Sequence, residues 1–196
     1  GVYQMCGRYV LYSDKEQAEI REIIEEVNRK HNFAVKKGDI YPSNLAPIYA
    51  PTPDQNGKSL EVMKWGYEVS FRKGLLINAR SETILEKKTF KKDFLERRCI
   101  VPASGFYEWD KDKNKYIFQA EDDEALYIGG VFRQHENASE YVILTKAPVE
   151  PVVAIHDRMP VIIPHSKAEE WLYDANAAMG MVTQDYVPLG CQIAEK

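Results

Sequence analysis

Apolar residues recur at helical spacing early in the chain: Ile20, Ile23, Ile24 and Val27 share one helical face, and charged residues fill the other. The predicted helix starts at Ser13, where Ser13 and Glu16 form an S-x-x-E capping box. From Asp39 to Pro53 the proline-rich run with Tyr41-Pro42-Ser43-Asn44 reads as a shaped loop leading into a short strand, because Pro42 has no amide proton for a helix. Short β-like segments follow at Glu61 to Val69, Leu75 to Ala79, Cys99 to Trp109, Lys115 to Ala120, Ala125 to Arg133, Tyr141 to Thr145 and Met159 to Ile163. Turn residues at Asp110 to Asn114 and Gln134 to Ser139 read as hairpin connections. A second helix is predicted over Glu82 to Glu96. A third starts at Ser166, whose S-x-x-E with Glu169 caps a stretch ending near Tyr173. With strands dominating the middle and no internal repeat, the expectation is a single α+β domain over residues 1–196, built on a curved, mainly antiparallel, barrel-like sheet with flanking helices.

A chain of 196 residues can bury a sizeable core without staples. Three cysteines (Cys6, Cys99, Cys191) with no C-x-x-C spacing, and no signal-like apolar run, point to a reduced, cytosolic protein without a membrane partner. The formal net charge of −4 argues against coating duplex nucleic acid by bulk electrostatics, and leaves room for a local basic groove. No zinc pattern, P-loop or dinucleotide fingerprint is present and His31, His135, His156 and His165 are scattered, so neither a metal nor a small-molecule cofactor is expected. A monomer is expected, since no long surplus amphipathic helix is visible.

Four segments set polar or reactive residues among apolar strand residues: Met5 to Tyr9, Asn78-Ala79-Arg80-Ser81-Glu82, Pro102 to Trp109, and His156-Asp157-Arg158-Met159-Pro160. A cysteine after methionine becomes the first residue when the initiator is removed, and then carries a thiol and an α-amine on adjacent carbons. Together they can convert one aldehyde to a five-membered thiazolidine, the amine giving an imine and the sulfur closing on its carbon. An α-amine of pKa ~7.8 also has a few hundred times more free base at neutral pH than a lysine at ~10.4. The plainer reading of Cys6 is a packing residue. Asn78 is either a buried amide steering a substrate oxygen or a helix-cap residue. Glu108, among aromatics, is either a desolvated carboxylate with a raised pKa, suited to acid–base work, or an outward-facing strand residue. His156 is either a proton shuttle or a structural histidine bonded to backbone.

Taken together with Tyr41-Pro42-Ser43-Asn44, Trp65-Gly66 and Arg98-Cys99-Ile100-Val101-Pro102-Ala103-Ser104-Gly105, these segments resemble the ordered motifs of the SOS-response-associated peptidase (SRAP) family from Met5 to about Trp171. The resemblance implies a protein that recognises abasic sites in single-stranded DNA and links itself to them through its N-terminal cysteine, with a self-processing peptidase activity that exposes that cysteine. It implies Cys6 as the crosslinking nucleophile and Asn78 as a hydrogen-bonding partner of the cysteine or sugar. Glu108 would move protons during ring opening and imine formation, and His156 would assist as acid or base or bind the sugar or a phosphate. DNA contacts are implied for Arg8, Asn44, Arg80 and Arg158, with Trp65 and Trp109 offering faces for stacking. For Arg8 and Arg80 charge pairing, and for the tryptophans core packing, are the alternatives. The run Lys87-Lys88 with Lys91-Lys92 could attract phosphate, or simply be a charged helix face.

Gly1-Val2-Tyr3-Gln4 precede Met5, so Cys6 in the chain as written has no free α-amine. Gly1 resembles a protease scar, and Val2 to Gln4 either an early start or a propeptide. Pro148 stands where the family commonly has asparagine, in a loop near His156, and the tail after Trp171 is short. Two rival functions follow from the same residues. One is a thiol-dependent, N-terminal-nucleophile amidase or peptidase not acting on DNA. The other is a non-covalent single-strand binder in which Cys6 only packs. The expected location is cytoplasmic, nucleoid-associated when on DNA.

Overall fold

The computed structural model describes residues 6–11, 17–32, 34–135, 137–184 and 187–194. Along the chain come β1 (Tyr9–Leu11), α1 (Ala18–His31), β2 (Gly38–Ile40), β3 (Leu45–Pro51) and β4 (Lys58–Trp65). A short hairpin of β5 (Tyr67–Glu68) and β6 (Leu75–Leu76) leads into β7 (Asn78–Arg80), a 3-10 turn at Ser81–Thr83 and α2 (Lys91–Glu96). Then follow β8 (Arg98–Ala103), β9 (Gly105–Trp109), β10 (Lys115–Ala120), β11 (Leu126–His135), β12 (Ala138–Lys146) and β13 (Met159–Pro160). After these come α3 (Ala168–Tyr173), α4 (Ala175–Met181) and β14 (Leu189–Ile193).

Strands β11, β8, β3, β4 and β12 pair in that order, and the β11–β12 hairpin closes the ring, so the curved sheet is a five-stranded barrel. All its pairings are antiparallel except β4 with β12, and β12 also takes β7 in parallel on its outer run. A second sheet, in the order β14-β10-β9-β1-β2, carries the start of the described chain. Ile48, Ile100, Val101, Tyr141 and Trp65 of the barrel strands are buried, as are Ile20, Ile23, Ile24 and Val27 of α1, which packs on β3 and β4. The helical stripe read from the sequence is therefore the buried face of α1. Its capping box, Ser13 with Glu16, lies outside the described residues.

Several boundaries differ from the sequence reading. The helix expected over Glu82 to Glu96 is reduced to the turn at Ser81–Thr83 and the short α2. Glu86-Lys87-Lys88-Thr89 supplies no apolar residue between Ile84 and Phe90 beyond the single Leu85, so no continuous helical stripe exists there to bury. Ser166 does not cap α3. It lies inside a 3-10 turn, His165–Lys167, and Lys167 takes the cap position without a side-chain bond. Asp174 does cap a helix, accepting from the Ala177 amide at 3.0 Å at the start of α4, an element the sequence reading left out along with β1, β2 and β14.

The single segment expected from Cys99 to Trp109 is two strands in two sheets, separated at the fully buried Ser104, whose amide donates to Val10 O at 2.8 Å. Gly105 makes the crossing possible. A Cβ there would lie 2.7 Å from the Phe118 carbonyl oxygen, a backbone atom of the paired strand β10. Gly105→Ala is expected to cost about 1–3 kcal/mol through this overpacking, read as a lowered urea midpoint at unchanged m-value. An unchanged midpoint would mean the two sheets have slack at their junction. Among the described residues no helix is long and apolar enough to cross a membrane.

Candidate active site

Within the second sheet β1 pairs antiparallel with β9, Tyr9 opposite Phe106 and Val10 opposite Gly105. The Tyr107 amide continues this ladder to Arg8 O at 3.1 Å, which carries the segment before β1 back along β9 towards Glu108. The register thus delivers Cys6 to a carboxylate 102 positions away: the Cys6 amide N–H donates to Glu108 Oε1 at 2.8 Å. Both residues are buried, at 3% and 2% exposure. Cys6 has a φ of 47°, in the left-handed region that side chains with a Cβ seldom occupy.

His156 reaches the same carboxylate from the connection between β12 and β13. It follows the 3-10 turn Val152–Ala154, its amide bonds Val152 O at 2.9 Å, and Nε2 lies 3.7 Å from Glu108 Oε2. Asn78 opens β7, opposite Ile143 of β12, and its Nδ2 is buried with no hydrogen-bond partner among the described residues. A buried amide donor without an acceptor marks a place where a bound group would be held. The cap alternative for Asn78 does not apply, because it begins a strand and Arg80 takes the cap position of the following turn.

Electrostatics follow from burial. Removal from water pushes the Cys6 thiol well above its ordinary value, Glu108 adds to this, and the Arg158 charge offsets part of it. The resting thiol is therefore protonated. Burial also raises Glu108, against the pull of His156 and the Cys6 hydrogen bonds, so it takes and returns protons nearer neutrality than an ordinary carboxylate. The group sets a thiol, a carboxyl and an imidazole around the Cys6 nitrogen, which is a peptide amide in this chain and becomes a nucleophile only as a free α-amine.

The residues expected to meet DNA fall into two sets. Arg8 is sandwiched, its guanidinium carbon 4.3 Å from the Tyr41 ring centroid and 5.1 Å from that of Trp109, with Asp39 3.9 Å away. Arg8 and Trp109 line an open groove of about 550 Å³ with Lys113, Asn114 and Lys115. Arg80 is exposed, with Glu82 no nearer than 4.0 Å. By contrast, Trp65 is fully buried, stacked on Tyr141 and close to Tyr9, so it has no face for a base. Its Nε1 donates to Ile77 O at 3.1 Å and so steadies the residue before Asn78. Arg158 is also buried, with its guanidinium on Glu82 and Thr145, so it offers no charge to a phosphate as it stands. Asn44 closes its own turn, accepting from the Tyr41 amide at 2.9 Å and from Lys36 Nζ at 3.1 Å. Phe71, to which the sequence reading gave no role, is 68% exposed beside Arg72 and Lys73 in the β5–β6 connection.

Among the described residues two groups bring ligand atoms within 4.8 Å of one another, Glu19 with Glu124 and His165, and Glu68 with His135 and Glu140. Neither includes a residue of the Cys6 site. Glu19 accepts from Tyr49 and Tyr127, while Glu68 and Glu140 pair with Lys64 and Arg133.

Fold and site together define a barrel-based α+β protein whose buried cysteine, near the chain start, is held by a carboxylate at its nitrogen. The chain belongs to the SOS response associated peptidase (SRAP) family, which it matches over residues 5–188. It is 33% identical to the Abasic site processing protein YoaM of Bacillus subtilis, covering 89% of this chain and 82% of that one. It is 28% identical to the Abasic site processing protein YedK of Escherichia coli, covering 86% and 79%. The fold is shared with a Bordetella bronchiseptica protein at TM-score 0.75 and 20% identity, covering 97% of this chain and all (100%) of that one.

Proposed function

We propose that the protein recognises abasic sites in single-stranded DNA and bonds to them covalently through Cys6 once Cys6 is the first residue. The observation that carries the reading is the 2.8 Å contact between the Cys6 nitrogen and Glu108, since a reacting α-amine needs a base at that place. Glu108 takes a proton from the α-ammonium, and the free amine adds to the aldehyde carbon of the ring-opened abasic sugar. Water leaves to give the imine, the sulfur closes on the imine carbon, and its proton ends on the nitrogen, so aldehyde and aminothiol become thiazolidine and water. Asn78 Nδ2 donates to a sugar oxygen, and His156 relays protons at Glu108. Arg8 and Arg80 take phosphates, and Trp109 and Phe71 stack bases, which favours a strand whose bases are unpaired. The family and the printed names of its relatives support the same substrate.

In the chain as written Cys6 nitrogen is a peptide amide, so Met5–Cys6 has to be cut first. The positive φ of Cys6 and the carboxyl at its nitrogen support self-processing. The thiol adds to the Met5 carbonyl, the C–N bond breaks with a proton delivered to nitrogen, and water hydrolyses the resulting thioester.

The test mixes the chain as given, a form starting at Cys6, and that form with Cys6→Ala, each with single-stranded DNA bearing one abasic site, then applies a denaturing gel and intact mass. A heat-stable adduct, lighter than the sum of its components by one water, is expected from the Cys6-start form and is absent with Cys6→Ala. No adduct from the Cys6-start form, together with turnover of peptides, sinks the reading in favour of a thiol peptidase.

A further inference from the structure

We propose that Glu82 is a positioning residue that fixes the tautomer of His156. The inference rests on the reading above in giving His156 a proton to move, and its structural content stands on the following geometry.

Glu82 lies in the turn directly after β7 and takes Arg158 Nη1 on one oxygen and Nη2 on the other, each at 2.9 Å. This is the fork-on-fork arrangement that fixes orientation as well as charge. Nη2 also donates to Thr145 Oγ1 at 3.0 Å. Thr145 is opposite Arg80 of β7 on one side and Pro160 of β13 on the other. The fork therefore ties the Asn78 strand, the barrel strand β12 and the His156 turn into one body.

The consequence appears two residues before Arg158. The Arg158 amide N–H donates to His156 Nδ1 at 3.2 Å. A peptide N–H only donates, so this contact calls for a lone pair on Nδ1, which in the neutral ring leaves the proton on Nε2. Nε2 is the nitrogen 3.7 Å from Glu108 Oε2, so the ring offers the carboxyl a donor. The opposite choice has its own supporters: Arg158 O at 3.3 Å and Asp157 Oδ1 at 3.4 Å both stand near Nδ1 and would accept a proton from it. That tautomer would set a bare nitrogen against a carboxylate. Glu108, Asp157 and the Arg158 backbone are the groups that decide, and Glu82, by holding Arg158, decides between them. The buried arginine in this segment thus acts through His156.

The experiment uses Glu82→Gln and Glu82→Asp. In DNA-free protein, the nitrogen-15 shifts of the His156 ring, assigned with His156→Asn, report the tautomer directly. The parent is expected to show a pyridine-type Nδ1 and a pyrrole-type Nε2, Glu82→Gln a mixture, and Glu82→Asp a partial return to the parent pattern. In the Cys6-start form, Glu82→Gln is expected to slow crosslinking by on the order of tenfold, with its pH–rate profile moved and DNA affinity unchanged. Should Glu82→Gln fail to fold, Arg158→Lys keeps the charge, loses the fork and carries the same two measurements. An unaltered His156 tautomer and pH profile alongside a lowered melting temperature would overturn the inference, leaving a plain structural ion pair. Tighter DNA binding by Glu82→Gln would also overturn it, as it would make Arg158 a phosphate ligand held back by Glu82. If the parent does not crosslink at all, the proposed function fails, and the tautomer measurement still decides the role of Glu82.

Discussion

Glu108→Gln is expected to slow abasic-site crosslinking by about 10²–10⁴-fold, the usual worth of a positioned acid–base group, while making the fold more stable at neutral pH. Both effects have one origin. Glu108 is removed from water, so its charged form is disfavoured and its proton is held to a higher pH than in the unfolded chain. Between the unfolded and folded values the native state binds a proton that the unfolded state has released, so stability falls as pH rises through that window. Glutamine has no proton to lose and its Oε1 still accepts from the Cys6 amide, so the burial cost of the charge disappears. The gain should be present above the folded value and absent in acid, where Glu108 is neutral anyway. Melting curves of both forms of the full chain at pH 4 and pH 8 check this. A lower melting temperature for Glu108→Gln at pH 8 would show that the carboxylate is stabilised by His156 and the Cys6 hydrogen bonds more than it is strained by burial.

The largest effect on stability is expected away from the site, at Arg98→Met. Arg98 is 2% exposed at the start of β8, and its guanidinium donates to Trp171 O and Phe94 O at 2.6 Å, Leu95 O at 3.1 Å and Leu172 O at 3.3 Å. These carbonyls belong to α2 and α3, where a short helix has few intrahelical donors left and a cation is favoured. Burial pulls the Arg98 pKa down, yet it stays charged at any ordinary pH. Removing it strands several carbonyls inside the protein and unties two helices from the barrel. The cost is expected at about 3–5 kcal/mol, or roughly 10 °C in melting temperature for a chain of this size. Arg98→Lys should recover less than half, since one ammonium cannot span carbonyls on two helices. A loss below about 1 kcal/mol would mean water satisfies those carbonyls once the side chain is gone.

The reactive residue types and the strand-rich character of the fold were legible in the sequence because they depend on short spacing. Four apolar residues on one helical face define α1, the hairpin between β11 and β12 falls on the predicted turn residues, and the family motifs name Cys6, Asn78, Glu108 and His156 without any coordinates. The mispredictions cluster where a residue's surroundings come from elsewhere in the chain. Ser104 and Gly105 divide a single apolar run into two strands because the backbone of β10 approaches closely, and no local pattern records that. Trp65 looks like any other tryptophan in sequence, and only its place between Tyr9 and Tyr141 makes it a core residue. Arg158 looks like a phosphate ligand until Glu82, 76 positions away, is seen to hold it. The sequence by itself determined which chemical groups this protein has and how its strands alternate, since both are properties of neighbouring residues. Only the tertiary structure decided which groups face one another, which charges are already paired and which polar atoms are left open, because burial and hydrogen bonding are settled between residues about a hundred positions apart.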